Sequence, residues 1–223
     1  YVSGRVPIRN IGRGDLPVPG WTGEFDWISE IPHDEMPHVF NPMCGYVISC
    51  NNKITDDSYP HYLGNSFMNG FRAARIESVF NRSNKIDFQL VQNLHMDFYS
   101  IPGSRIKDGL IAGFRTAKPK AQKLIDILGE WDSNLDENSI GGTVYQVFLF
   151  TLINNIVKPH LGKTLTEKYM GIGDHPLLLP VNELLGHSTE AVIRIFQNPK
   201  SKWVPSGKAA LNLIEKSLVE SCL

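Results

Sequence analysis

The sequence predicts a mainly helical α+β fold, and three observations carry that prediction. Turn-forming Pro and Gly crowd the first fifty residues, helical periodicity takes over after about residue 64, and a long apolar segment runs through 139–161. A Pro/Gly-rich part with a few short strands is therefore expected over 1–64, followed by a helical region over 65–223 of the same structural unit.

GRG (12–14), PVPG (17–20), Ile31-Pro32 and Asn41-Pro42 are turn signals, because each Pro fixes its own φ and pushes the residue before it toward extended geometry. Between these signals, short strands are expected near Tyr1–Arg9 and Gly45–Cys50. In SFMNGFRAARIESVFNR, Phe67, Phe71, Ala74 and Val79 fall near helical spacing. KIDFQLVQNLHMD (85–97) puts Phe88, Val91 and Leu94 or His95 on one stripe, with Asp87 where an early-turn acid suits the helix dipole. AKPKAQKLIDILGEW (117–131) is amphipathic through Ala121, Leu124, Ile125 and Leu128. SIGGTVYQVFLFTLINNIVKPHL (139–161) is mostly apolar and should be central. LPVNELLGHSTEAVIRIFQNP (179–199) and the segment from Lys208 add two more helical stretches.

The 223 residues suffice for a substantial core. At 42% hydrophobic and 20% charged residues, with a formal net charge of −1, the chain gives no electrostatic reason to expect nucleic acid or an anionic membrane as partner. No apolar run approaches the roughly 18–20 residues of a membrane span. The longest, VFLFTLINNIV (147–157), is interrupted by polar residues and reads as a buried helix. Cys44, Cys50 and Cys222 form no CxxC and read as buried or free thiols, with a Cys44–Cys50 bridge as the alternative. The chain starts without Met or a signal-like segment and stops in what reads as an unfinished helix, so both ends are expected to be cuts.

Most local motifs have bland readings. Arg13-Gly14-Asp15 spells an adhesion tripeptide but sits in a plausible turn, and Asn81-Arg82-Ser83 is a glycosylation sequon that needs a secretory context to matter. None of the seven histidines stands in a compact metal-ligand spacing, and His33-Asp34-Glu35 reads as a solvated turn. No phosphate-binding loop, dinucleotide fingerprint or GxSxG elbow occurs.

The pair Asn51-Asn52, at the end of NPMCGYVISCNN (41–52), has two readings. Asparagines end strands because their amides bond the local backbone. An amide NH₂ held at a strand end is also a fixed neutral donor, able to stabilise an oxyanion as a carbonyl becomes tetrahedral. Period-2 alternation sets Val47, Ser49 and Asn51 on one face and Tyr46, Ile48, Cys50 and Asn52 on the other, so one asparagine at most faces a given site. Arg72 or Arg75 would complete a polar pocket.

Taken together, GRVPIR (4–9), LPVPGW (16–21), Trp27 with Ile31-Pro32, EMPHVFNPMCGYVISCNN (35–52), SYP (58–60) and FRAARI (71–76) resemble the β-chain of the penicillin acylase family. Asp97–Ser100 and Leu128–Asp132 fit the helical region that follows. The match is dense over roughly 1–80, patchy to about 150 and weak beyond. The family comprises N-terminal-nucleophile amide hydrolases of the αββα type, including acyl-homoserine-lactone and cephalosporin acylases. The resemblance implies an acylase of linear amides, with Asn51 as the side-chain oxyanion donor and Arg72 as an active-site arginine supporting it. It also implies a nucleophilic Ser at the head of the β-chain, upstream of Tyr1, whose own α-amine serves as base. On that reading this chain alone is inactive. Its partners are the α-chain and the remaining β-chain of one precursor, together with a small N-acyl amide substrate. No cofactor is required. A structural calcium belongs to the family, but its acidic ligands lie mostly upstream and no ligand set stands out here. The resemblance further implies a periplasmic or secreted location. The alternative is a non-catalytic helical scaffold domain that kept acylase-like segments.

Overall fold

The computed structural model describes residues 4–112, 114–170, 183–198, 200–204 and 207–222, and of 183–187 the backbone alone. The first residues of the expected strand at 1–9 and of the expected helix at 179–199 lie outside that set. The chain divides into two compact units, Tyr1–Glu77 and Ser78–Leu223.

The first unit has little regular structure, as its Pro and Gly content predicts. Strands β1 (Pro7–Arg9) and β2 (Trp27–Glu30) pair antiparallel, with Pro7 opposite Glu30, Ile8 opposite Ser29 and an irregularity before Arg9. The ribbon is extended by backbone bonds from Asn10 N–H to Asp26 O (3.1 Å) and from Ile31 N–H to Val6 O (2.9 Å). Arg9 stacks over the Trp27 ring at 5.7 Å. The expected strand at Gly45–Cys50 does not form: the segment is unpaired, because no neighbouring strand among the described residues supplies a ladder. Its alternation survives all the same, with Tyr46, Ile48, Cys50 and Asn52 covered and Val47, Ser49 and Asn51 exposed. Among the described residues, the unit buries only Ile31, Met36 and Cys50 as hydrophobic core, while Trp21, Phe40 and Met43 stand in solvent.

The division into units falls within helix α1 (Phe71–Asn81). Among the described residues, the regular elements of the second unit are all helices. Helix α2 (Phe88–Leu94) starts at Asp87, whose carboxylate accepts the Leu90 N–H at 3.0 Å, so the early-turn acid is an N-cap. Helix α3 (Ile101–Ile106) is capped by Ser100 and runs on into a π-helical turn at Lys107–Ile111. Helix α4 (Pro119–Glu130) buries Ala121, Ile125 and Leu128, three of the four residues on its expected apolar stripe.

Helix α5 (Ile140–Tyr169) is the core helix, in contact with α4, α6 (Glu183–Gln197) and α7 (Lys208–Glu220). It is long and apolar enough to cross a membrane, yet 56% of its most apolar window is buried in the protein. It runs past the expected end at 161 but is broken there: Pro159 removes one helical N–H and Gly162 sits at φ 69°, ψ 178°. Beyond the break, the buried Thr166 hydroxyl donates to the Gly162 carbonyl at 2.6 Å.

Trp131 is the keystone between α3, α4 and α5. Its indole N–H is shared by the Asn134 carbonyl (2.7 Å) and the Ser139 hydroxyl (3.0 Å), and its ring stacks on Tyr145 at 5.1 Å. Gly103 and Gly141 make room for it, since a Cβ on Gly141 would lie 2.4 Å from Trp131 Cγ. Ser100 N–H bonds the Ser133 carbonyl at 2.7 Å and Leu135 N–H bonds the Phe98 carbonyl at 3.0 Å. The Asp97–Ser100 motif is thereby tied to the loop that follows Trp131.

Candidate functional site

The asparagine pair lies in the first unit, on the segment that enters the turn before Lys53. Cys50, just ahead of it, is 7% exposed and anchors the segment inward. Asn51 is exposed and Asn52 half-buried, as the alternation requires. Asn51 takes the left-handed backbone conformation at φ 60°, which few residues other than Gly adopt and which Asn tolerates better than most. Its carbonyl accepts the Met68 N–H at 2.8 Å, and Asn52 forms an isolated parallel bridge with Met68.

Arg72 stands in the first turn of α1 and reaches back to this segment. Its Nη2 donates to the Cys50 carbonyl at 2.6 Å and to Asn51 Oδ1 at 2.8 Å. Of the two arginines raised by the sequence, Arg72 is the one that bonds Asn51. A guanidinium has donors only, so the Asn51 carboxamide must turn its oxygen to Arg72 and its Nδ2 away. No acceptor among the described residues takes the Nδ2 hydrogens. The outcome is a neutral amide donor with a fixed direction on an exposed face.

Nearby groups are structural. The Glu35 carboxylate pairs with His61 Nε2 at 2.5 Å, and the Tyr59 hydroxyl donates to the Glu35 backbone carbonyl at 3.0 Å. Glu35, expected in a solvated turn, thus clamps the SYP segment to the EMP turn. The Arg13-Gly14-Asp15 turn is also engaged internally: Arg13 lies over the Tyr62 ring at 5.3 Å, and Asp15 accepts from Asn65 Nδ2 at 2.8 Å. Cys44, Cys50 and Cys222 are free thiols, so the alternative Cys44–Cys50 bridge does not form. Among the described residues no three His, Cys, Asp or Glu side chains gather as metal ligands would.

The second unit holds a cleft of about 540 Å³ over Ser100, Pro102, Tyr145, Leu149 and Phe150. Burial pushes the Tyr145 phenol well above its ordinary range, against a weaker opposing hydrogen bond with Ser100. It remains a protonated donor at neutral pH, and its position under Trp131 is that of a packing residue.

The sequence reading did not anticipate the left-handed Asn51, nor strand β2. Asn51 followed by a second Asn was the available signal for the first. Strand β2, with Trp27, Ile28 and Ser29 all exposed, carries no alternation to find it by.

Comparison with known proteins gives a consistent picture. A family model described as penicillin amidase matches residues 1–221. The chain is 34% identical over 148 residues to the penicillin acylase 2 proenzyme of Pseudomonas sp. strain SE83, covering 66% of this chain and 19% of that protein. It is 28% identical over 174 residues to the acyl-homoserine lactone acylase QuiP of Pseudomonas aeruginosa, covering 72% of this chain and 20% of that protein. Among solved structures, a thermostable penicillin G acylase from Alcaligenes faecalis superposes with a TM-score of 0.64 at 16% identity, over 97% of this chain and 42% of that one. The chain therefore spans about a fifth of the length of these curated relatives.

Proposed function

The chain belongs to the penicillin amidase family, and from that premise we propose that it is the oxyanion-hole portion of an acylase β-chain acting on linear N-acyl amides. The observation that carries the reading is the Arg72–Asn51 pair, which leaves the Asn51 Nδ2 hydrogens free on an exposed face. Penicillins, acyl-homoserine lactones or related N-acyl compounds are the substrate class, in keeping with the names of the relatives.

The nucleophile is a Ser at the head of the β-chain, outside these 223 residues. Its hydroxyl attacks the amide carbonyl while its own α-amine takes the proton and passes it to the leaving amine. The carbonyl oxygen becomes an oxyanion that accepts one bond from Asn51 Nδ2 and one from a backbone N–H elsewhere in the β-chain. Water then cleaves the acyl-enzyme and releases the carboxylic acid. The α-chain and the remainder of the β-chain are the partners this chain needs.

The test is Asn51→Ala in the complete acylase. Losing one oxyanion donor removes about 2.7–4 kcal/mol of transition-state stabilisation, so kcat falls by roughly a hundredfold or more while the fold is retained. A fully active Asn51→Ala enzyme overturns the assignment.

A further inference from the structure

The left-handed backbone at Asn51 needs something to hold it, because even Asn prefers the ordinary regions of φ/ψ space. The neighbouring side chain supplies that hold. Asn52 Oδ1 accepts the Cys50 N–H at 3.0 Å, and Asn52 Nδ2 donates to the Lys53 carbonyl at 3.1 Å. One carboxamide thus ties the Cys50 N–H, before Asn51, to the Lys53 carbonyl, after it. Its orientation has one solution, since exchanging O and N would set donor against donor and acceptor against acceptor. Arg72 fixes the Cys50 carbonyl and Met68 fixes the Asn51 carbonyl, so the kink is held from three directions. Asn52 lies half-buried on the face opposite Asn51. Its side-chain bonds go to backbone groups and not to the Asn51 amide, so it acts on that amide through the backbone.

We propose that Asn52 is a positioning residue of the oxyanion site: its side chain locks Asn51 in the left-handed conformation that aims Nδ2 at the reacting carbonyl. The inference rests on the oxyanion reading of Asn51. A donor displaced by about 1 Å from the developing charge can lose most of its effect on rate, up to roughly a hundredfold. Substrate binding, which does not use this donor, is left largely as it was.

The experiment is a double-mutant cycle in the complete acylase, read as kcat and KM on a chromogenic acyl-amide such as a phenylacetyl-nitroanilide. Asn52→Ala lowers kcat by roughly ten- to a hundredfold with KM changed less than about threefold. In the Asn51→Ala background the same substitution lowers kcat no further, because the group it positions is gone. Asn52→Asp keeps the acceptor for Cys50 N–H and loses the donor to Lys53. It falls between wild type and Asn52→Ala, and supplies the test should the alanine variant not fold. Equal losses from Asn52→Ala with and without Asn51 would mean that Asn52 acts on the fold alone, and would overturn the proposal. So would a wild-type kcat for Asn52→Ala. An impaired Asn51→Ala enzyme combined with either result sinks this inference and spares the oxyanion reading, whereas an unimpaired Asn51→Ala enzyme sinks both.

Discussion

Arg72 Nη2 bonds the Cys50 carbonyl and the Asn51 side-chain oxygen together, at 2.6 and 2.8 Å. One guanidinium nitrogen so couples the first turn of α1 to the backbone and the side chain of a segment 21 and 22 residues earlier. Because a guanidinium is planar and presents its donors in a fixed fork, the direction of the Asn51 amide is set by geometry as well as by charge.

Arg72→Lys should therefore not be conservative. A single flexible ammonium holds one of the two carbonyls poorly, and Asn51 gains the freedom to flip its amide. We expect kcat in the complete acylase to fall by roughly tenfold with little change in KM, and Arg72→Ala to fall further. Steady-state kinetics check this, and equal activity of Arg72→Lys and wild type would contradict it.

Gly141→Ala should destabilise the second unit. The new Cβ would sit 2.4 Å from Trp131 Cγ, and the stacked indole has no space to yield toward Tyr145. The expected cost is about 2–3 kcal/mol, read as a lower urea midpoint at unchanged slope.

Ser139→Ala removes an N-cap and an indole partner at once. The Ser139 oxygen accepts the Gly142 N–H (3.0 Å) and the Trp131 indole N–H (3.0 Å). A loss of about 1–2 kcal/mol is expected by denaturant titration. Asp87→Ala, which removes a cap with one partner, should cost about 1 kcal/mol.

The contact of Glu215 with Thr116 and Lys118 should weaken in acid. Hydrogen bonds from the Thr116 hydroxyl and then Lys118, the latter at 3.0 Å, hold the Glu215 carboxyl below its ordinary value of 4.5. A folded pKa below the unfolded one means the contribution is present at neutral pH. It shrinks as pH drops under 4.5 and vanishes below the folded value. The Tm difference between wild type and Glu215→Gln should thus close as pH falls from neutral through and below 4.5. A difference that stays constant over that range would refute the contact's role.

The helical half of the fold was legible because burial on one helix face leaves a period in the sequence. Ala121, Ile125 and Leu128 point inward where their spacing puts them, and Asp87 and Ser139 begin helices. The faces of residues 46–52 were legible for the same reason. Pairing was not. Gly45–Cys50 has the alternation of a strand, but a strand also needs a neighbour, and alternation is silent about neighbours. Strand β2 shows the converse, a paired segment with Trp27, Ile28 and Ser29 all exposed. Asn51 was singled out from its type and setting, yet its φ of 60° sits among bonds from Met68 and Arg72 that no local window contains.

The backbone at position 51 and the proposed chemistry ask for different things, and one residue type answers both. Gly would relax the φ of 60° but brings no donor. Asp accepts the same backbone but sets a negative charge against a developing oxyanion. Gln carries the amide on a longer arm and gives up the tolerance of the left-handed region that short polar side chains have. Each of these three replacements forfeits one requirement, so the turn and the donor at position 51 constrain each other, and changing one of them in this way means rebuilding the other.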